Sequence, residues 1–179
     1  MKYGNIKYHD VADGVGVRTT IFVSGCTHHC RGCFQPETWD FDFGQEYTAD
    51  VEEQILGSLK SPIVDGLTLL GGEPFEPENQ RVLVGLLRQL RERYGHSKNV
   101  WCYSGYAWEE LTGESRARCE VTDEMISYID VLVDGEFVES KKNLLLRFRG
   151  SENQRIIDVG ASLSCGEAVI WSDRFRSPA

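Results

Sequence analysis

Short apolar runs rich in β-branched residues alternate along this chain with segments of helical periodicity. The first run, Thr19 to Val23, leads through a serine into a glycine and delivers the chain into a loop. The clearest helical segment starts at Pro77, repeats leucine and valine at helical spacing and stops at Gly95. Three more apolar runs lie in the stretches DGLTLLGG, NVWCYSG and DVLVDG. Strands that alternate with helices predict an α/β fold with a mostly parallel sheet.

Shorter helices are predicted between these strands. The segment 47–60 begins with a capping Thr48 and places aliphatic side chains on one face. The stretches YAWEEL and TDEMISYI predict two more helices. From Leu144 to Trp171 the pattern is less regular, and it indicates one or two strands without fixing their partners.

Composition and charge narrow the class of protein. At 179 residues, 41% of them hydrophobic, the chain is sized for one globular domain over residues 1–179. Its formal charge of -9 disfavours broad attraction to nucleic acid or to an anionic membrane, because both are negatively charged. No apolar run approaches the roughly 20 residues that a membrane-spanning helix needs, and the first residues have no apolar signal core. We expect a cytoplasmic protein whose partner is a protein or a small molecule.

Three of the six cysteines form a C-x3-C-x2-C cluster after the first strand, at Cys26, Cys30 and Cys33. Three thiolates on one loop can ligate three irons of a [4Fe–4S] cluster and leave the fourth iron open to a substrate. The remaining cysteines are scattered and are expected to pack as small hydrophobic residues. They are Cys102, Cys119 and Cys165.

A zinc site is the alternative for these thiols. His28, His29 or the distant His9 would complete it. Zinc motifs usually bring two separated pairs of ligands, whereas this chain has one triplet, so the iron–sulfur interpretation is favoured.

The ends of the next three predicted strands also carry candidate site residues. After the second strand, the stretch GGEP from Gly71 to Pro74 has a glycine pair that lets a ligand lie against the backbone. Its Glu73 offers an acceptor for an ammonium group, although a glycine pair after a strand is also a common turn. Ser104 and Asp134 follow the third and fourth strands. Because ligands gather at the carboxyl ends of parallel strands, we expect these residues near the cysteines.

The cysteine triplet followed by a strand-terminal GGEP resembles the radical S-adenosylmethionine (SAM) superfamily. The stretch DGVGVRTTIFVSGC resembles the approach to the cluster in glycyl-radical activating enzymes. WCYSGY, IDVLVDGEFV and RFRGSENQRIID resemble the activating enzymes of anaerobic, class III ribonucleotide reductases. The resemblance covers about Gly4 to Asp158, and the tail 160–179 lies outside it. One position departs from the superfamily, because Gly32 stands where an aromatic residue is common and Phe34 follows the third cysteine instead.

The resemblance implies a compact partial (β/α) barrel and a defined chemistry. The implied site residues are Cys26, Cys30 and Cys33 for a [4Fe–4S] cluster, and Gly71, Gly72, Glu73, Pro74, Ser104, Asp134 and Phe34 for SAM. One electron from the reduced cluster would cleave SAM to methionine and a 5'-deoxyadenosyl radical. That radical would take a hydrogen atom from a backbone glycine of a class III anaerobic ribonucleotide reductase. A flavodoxin or a ferredoxin would supply the electron.

Two other functions fit the same motifs. A small radical SAM enzyme that acts on a small molecule, such as a deazapurine precursor, would share the cluster and the GGEP loop. A zinc or iron–sulfur binding module would hold a metal without turnover. Three arginines, Arg18, Arg147 and Arg149, are candidates for contact with the partner or with a cofactor carboxylate, and exposed surface positions are the alternative.

Overall fold

One seven-stranded sheet organises residues 1–172, which are the residues that the computed structural model describes. The strands lie in the order β3-β1-β2-β4-β5-β6-β7. They are β1 Lys2–Asp10, β2 Arg18–Val23, β3 Gln45–Glu46, β4 Gly66–Gly71, β5 Asn99–Tyr103, β6 Val131–Asp134 and β7 Arg155–Asp158. The helices are α1 Ala49–Ser58, α2 Pro77–Tyr94, α3 Trp108–Thr112, α4 Thr122–Ser127 and α5 Val159–Cys165, and short 3-10 turns lie at Pro36–Trp39 and Glu139–Lys141.

The centre of the sheet is parallel and its edges are antiparallel. β2, β4, β5 and β6 run parallel, and helices cross between them. β1 and β3 on one side and β7 on the other run antiparallel to their neighbours. The chain returns into these edge strands through connections without a crossover α-helix, which is what antiparallel pairing permits. The sheet is open rather than a closed barrel, so the predicted α/β fold is confirmed and matches a partial barrel.

Alternate residues of the central strands pack into two hydrophobic clusters. Val100 and Cys102 of β5 belong to the larger cluster, which contains the buried leucines of α2. Trp101 of β5 belongs to a smaller cluster with Val131 and Val133 of β6. Because successive side chains of a strand point to opposite faces, these clusters cover opposite faces of the sheet. Helices cover one face, and loop residues that include Phe148 cover the other.

Arg18 is fully buried at the start of β2, so a surface role for it is wrong. Its Nε donates to the Thr68 hydroxyl at 2.5 Å, and Nη2 donates to the Leu67 carbonyl oxygen at 2.7 Å. Burial lowers its pKa to about 10, because a desolvated charge is disfavoured. Its guanidinium also lies over the Trp101 ring, 5.6 Å from the centroid. Arg18 therefore joins β2 to β4 and β5 inside the protein.

The predicted helix ends are confirmed where the sequence carried a cap. Thr48 accepts a hydrogen bond from the backbone N–H of Val51, and Gly95 ends α2 with a φ of 54°. Residues 144–171, whose strand partners the sequence did not fix, contain β7, α5 and a bridge between Ile157 and Ile170. Residues 173–179 of the tail 160–179 lie outside the described residues. Within the part of the chain that the structure describes, no helix has the length and apolar character needed to cross a bilayer.

Candidate functional site

A cavity of about 470 Å³ opens at the carboxyl ends of the parallel strands. Cys26, Cys30 and Cys33 all line it, and all three are free thiols. Cys26 is buried, whereas Cys30 and Cys33 are half-buried. The sequence prediction that the three cysteines gather where β2 ends therefore agrees with their placement.

Backbone hydrogen bonds shape the cysteine loop. The Gly25 N–H donates to the Thr38 carbonyl oxygen at 2.8 Å, and the Cys26 N–H donates to the Trp39 carbonyl oxygen at 3.1 Å. Gly25 has a φ of 95°, and a Cβ at this position would lie 2.3 Å from the Phe41 ring. Only glycine fits this turn without displacing that ring.

The loop after β4 packs against the cysteine loop, backbone to backbone. The Glu73 N–H donates to the Gly25 carbonyl oxygen at 2.8 Å, and the Gly72 N–H donates to the Val23 carbonyl oxygen at 2.7 Å. A Cβ on Gly72 would lie 2.5 Å from that same Gly25 oxygen. The preceding Gly71 has a φ of 110°. The glycine pair is therefore required for the two loops to approach this closely.

Glu73 is the most heavily contacted carboxylate of the cavity wall. One of its oxygens, Oε1, accepts from the Ser104 hydroxyl at 2.9 Å and from the Phe75 N–H at 2.8 Å. The other, Oε2, accepts from the Gly105 N–H at 2.7 Å. The side chain is only 1% exposed. Three donors from two strand ends thus fix the orientation of this carboxylate.

His28, which lies between the first two cysteines, makes a contact with Glu73 that the sequence did not predict. Its Nε2 lies 3.3 Å from Glu73 Oε2, which is an ion-pair distance without the alignment of a hydrogen bond. Burial lowers the pKa of His28, but the carboxylates of Glu73 and Glu136 together raise it by more, so the net direction is upward. The ring also packs edge-on against Tyr106. No sequence signal separated His28 from His29, because pairing with Glu73 depends on how the loops pack.

Ser104 lies at the cavity, but the carboxylate of Asp134 does not. Ser104 bonds Glu73 as described and lines the cavity. Asp134 is fully buried and accepts from the Trp108 N–H at 2.7 Å and from the Arg155 guanidinium at 2.5 and 3.0 Å. The neighbouring Gly135 lines the cavity instead. The structure therefore places Asp134 in an internal ion pair behind the cavity wall.

Phe34 and the segment after β6 form the mouth of the cavity. The Phe34 ring is 59% exposed and lies 5.0 Å from the Phe137 ring, centroid to centroid. Leu144, Leu146 and Arg149 line the same mouth, from a stretch whose structure the sequence did not predict. Pro74, the last residue of the GGEP loop, is buried and lies outside the cavity lining.

A second carboxyl group of the cavity wall has an unusual pKa. Asp13 lines the cavity with its carboxyl beside that of Asp10, and Lys7 Nζ lies 3.9 Å from it. Burial is the largest of the causes that raise the pKa of Asp13 to about 7. The other causes are the hydrogen bond with Asp10 and the negative charge of Asp10. Asp13 is therefore partly protonated at neutral pH. Two acids three residues apart in DVADG were the available signal for this pair.

The donor set at the cavity fits an iron–sulfur cluster. Within residues 1–172, no group of three or more His, Cys, Asp and Glu side chains is close enough to hold a single metal ion. His29 packs its ring on Trp39, and His9 is exposed on β1. Three cysteines on one loop that faces a cavity are the ligands that iron–sulfur clusters take. Burial raises the pKa of Cys26 to about 12 and that of Cys30 to about 11, so binding iron must displace their protons.

Comparison with protein families identifies the class. Residues 12–157 match the family model of the 4Fe-4S single cluster domain, which supports an iron–sulfur cluster in this chain. The matched range contains all three cysteines, the GGEP loop and the mouth of the cavity.

Individual relatives are more specific. An anaerobic ribonucleoside-triphosphate reductase-activating protein of Haemophilus influenzae is 40% identical over 149 residues, which cover 82% of this chain and 91% of the relative. Proteins of the same name from Pasteurella multocida and Escherichia coli K12 are 39% and 37% identical, cover 87% and 86% of this chain, and are each covered over 96% of their length. The chain belongs to the family of anaerobic ribonucleoside-triphosphate reductase-activating proteins. The resemblance drawn from the motifs is thereby confirmed.

Proposed function

We propose that this protein is the activase of an anaerobic ribonucleotide reductase and works by radical SAM chemistry. One observation carries the proposal: the three cysteines, Gly71, Gly72, Glu73 and Ser104 all line one cavity at the strand ends. A bound, reduced [4Fe–4S] cluster would supply the electron for SAM cleavage, and the radical so formed would take hydrogen from a glycine of the reductase. The partner follows from the names of the relatives. A flavodoxin or ferredoxin as electron donor and a cytoplasmic location complete the proposal.

The cysteine loop would hold the cluster through three of its irons and leave the fourth open. Cys26, Cys30 and Cys33 supply three thiolates, and no fourth cysteine lines the cavity within the described residues. An open position is what separates a catalytic metal from a structural one. Cys26, which is buried, would hold the cluster from the protein side, and the half-buried Cys30 and Cys33 would hold it nearer to solvent.

Glu73 orients the amino end of SAM. A carboxylate has about four acceptor positions, and three of them are filled by Ser104, Phe75 and Gly105. The fourth lies toward His28, which also faces the cavity. The ammonium group of SAM would take this position in place of the His28 ring. The bonds that remain hold the carboxylate still, so little orientation is lost when SAM binds.

Ser104 and Asp134 act by positioning neighbouring residues. Ser104 holds Glu73, and Asp134 holds the turn that presents Gly135 to the cavity. Phe34 offers an exposed ring at the mouth, where an adenine or a partner chain can stack.

The test is anaerobic reconstitution with the cognate reductase. With both proteins, SAM and reductant present, we expect a doublet EPR signal of a glycyl radical, and deuterium placed in that glycine should appear in 5'-deoxyadenosine. Omitting any component should remove the signal. SAM cleavage with consumption of a small molecule and no radical on the reductase would favour the small-molecule enzyme instead.

Two cysteine variants provide the control for the cluster. Cys30→Ala should lose the cluster, its visible absorbance and its iron, because two anchors remain where three were needed. Cys119→Ala should keep the cluster, its visible absorbance and its iron, since Cys119 lies by Thr122 at the start of α4 and not at the cavity. Normal iron content in Cys30→Ala would refute the ligand assignment. A colourless but folded wild-type protein after anaerobic iron loading would favour a module without this cluster.

A further inference from the structure

The loop at the mouth of the cavity carries the most exposed large hydrophobic side chains of the described residues. Leu144 is 83% exposed and Leu145 is 91% exposed. They lie in residues 141–149, which we call the mouth loop. Leucines normally lose exposure on folding because burial of apolar surface is favourable, so two adjacent exposed leucines beside a cavity mark a contact surface.

The mouth loop is an ordered structure. An antiparallel bridge joins Lys142 to Ser151, and the Asn143 N–H donates to the Gly150 carbonyl oxygen at 3.2 Å. The Asn143 side chain accepts from the Leu145 N–H at 3.0 Å, which fixes the turn under the leucines. These bonds hold the leucines outward, and the conformational entropy lost when a partner binds is correspondingly small.

Gln154 fixes the base of the loop. Its side-chain oxygen accepts from the Gly150 N–H at 2.8 Å and from the Ser151 N–H at 3.1 Å, and its amide donates to the Gly135 carbonyl oxygen at 2.9 Å. The loop is thereby attached to the end of β6, at the cavity wall. Its position relative to the cavity is set by the sheet.

The charge of the mouth loop is opposite to that of the protein. The stretch KKNLLLRFR contains four basic residues and no acidic residue, whereas the whole chain has a formal net charge of -9. A surface that combines exposed leucine with positive charge complements a surface that combines an apolar pocket with carboxylates. The rest of this acidic chain would repel such a partner, so the partner is expected to bind at the mouth loop and not elsewhere on the surface.

The loop is also continuous with the reaction cavity. Asn143, Leu144 and Leu146 line the cavity, so a chain that enters it on this side lies against the mouth loop. The apolar surface continues across Gly150 to Phe34 and Phe137, where a Cβ on Gly150 would lie 3.0 Å from each ring. Phe34 directly follows Cys33, so this surface reaches the cysteine loop.

We propose that the mouth loop docks the reductase, with Leu144 and Leu145 inserted into an apolar, carboxylate-rimmed pocket beside the target glycine. This inference rests on the proposed function and adds the surface by which the partner is recognised. Docking there holds the glycine segment over the cavity, and specificity for the reductase comes from the loop and not from the cofactor site.

The test uses the full-length protein with its cluster and the purified reductase. Leu145→Asp places an acid at the tip of the loop without touching the cavity lining. We expect the Kd for the reductase to rise at least about tenfold, because an apolar anchor is lost and a repulsive charge is added. Iron content and SAM cleavage in the absence of reductase should match the wild type. Radical yield should fall at low activase concentration and recover at high concentration.

The matched control is Ile63→Asp, which makes the same kind of change at a side chain 61% exposed in the loop before β4. Its Kd for the reductase should stay within about twofold of wild type. Lys141→Glu, at an exposed position, should also weaken binding and reduce its dependence on salt. Equal reductase affinity in Leu145→Asp and wild type would overturn the proposal.

Two other binding partners of the mouth loop would give different experimental results. Wild-type binding to phosphatidylglycerol vesicles that Leu145→Asp loses, with reductase affinity unchanged, would overturn the proposal in favour of a membrane surface. Self-association that the variant loses, again with reductase affinity unchanged, would overturn it in favour of a second copy. If wild type forms no radical on the reductase and does not bind it, the proposed function fails before any variant is compared.

Discussion

Two strand ends of this protein carry buried carboxylates whose surroundings differ. Glu73 after β4 is surrounded by N–H and hydroxyl donors, lies beside a histidine and lines the cavity. Asp134 at the end of β6 is neutralised by Arg155 and lies outside the cavity lining. Position at a strand end therefore does not make an acid a ligand-binding group. The two carboxylates differ in placement: Glu73 lines the cavity, whereas Asp134 is held by an arginine behind the cavity wall.

The largest effect is expected from Asp134→Asn on stability. Removing one partner of a buried ion pair leaves Arg155 without its main counter-charge, which costs about 3 kcal/mol of unfolding free energy. We take the lower end of the usual range because the Arg155 side chain is 34% exposed and keeps Glu109 at 2.8 Å. Urea unfolding measures the loss. SAM affinity, by titration, should change less than about twofold.

Glu109→Gln is the control for this prediction, because Glu109 pairs with the same arginine from an exposed position. Exposed pairs contribute about 0–1 kcal/mol, so the variant should remain close to wild type. A loss as large as that of Asp134→Asn would show that burial does not distinguish the two partners of Arg155.

Glu73→Gln should lower SAM affinity more than it lowers stability, which is the opposite of the effect expected for Asp134→Asn. Loss of a charge-assisted bond to the SAM ammonium costs about 1.5–3 kcal/mol, or about 10- to 150-fold in affinity. The cluster should remain, since no cysteine changes. Stability should fall by about 1–2 kcal/mol, because the amide NH2 of glutamine faces a backbone N–H that the carboxylate satisfied. Unchanged SAM affinity would mean that another group holds the amino end.

Ser104→Ala should produce a smaller change in the same direction as Glu73→Gln. The variant removes one neutral donor to Glu73 and leaves the Phe75 and Gly105 bonds in place. A single such bond contributes about 1 kcal/mol, which is about fivefold in SAM affinity. An effect equal to that of Glu73→Gln would assign Ser104 a direct contact with the ligand.

Asp13 extends the comparison to an acid whose nearest neighbour is another acid. The folded protein keeps a proton on Asp13 up to its pKa of about 7, while the unfolded chain releases it near pH 4. The unfolding free energy contributed by this group therefore falls as pH rises from about 4 to about 7, and stays low above that. Asp13→Asn should flatten this slope and gain stability relative to wild type at about pH 8. Urea unfolding at about pH 5 and about pH 8 tests the sign. A steeper slope in the variant would contradict it.

The parallel centre of the fold could be predicted because its signals are local. The run Thr19 to Val23, the leucine pattern of α2 and the caps at Thr48 and Gly95 each identify an element from a few neighbouring residues. The same holds for the cysteine loop and the GGEP loop, whose candidate site residues lie close together in the sequence. These elements appear in the structure where the sequence placed them.

The antiparallel edges and the mouth of the cavity depend on distant partners. β7 pairs with β6 across a stretch without an α-helix, and its Arg155 reaches Asp134 from 21 residues away. His28 meets Glu73 only because two glycine-containing loops pack together. Such contacts leave no periodicity in the sequence, so Asp134 resembled a ligand-binding residue when considered by position alone.

The cysteine loop is held by hydrogen bonds to other parts of its own chain. Its backbone bonds to Thr38 and Trp39, and Thr27 donates to the Glu76 carboxylate at 2.8 and 2.6 Å. We expect amide exchange at residues 25–27 to be equally slow with and without the cluster. A cluster destroyed by oxygen would then leave a receptacle that is already formed. Molecules that outlast an aerobic interval could be recharged when anaerobic conditions return, so recovery would depend on iron and sulfide supply and not on new synthesis.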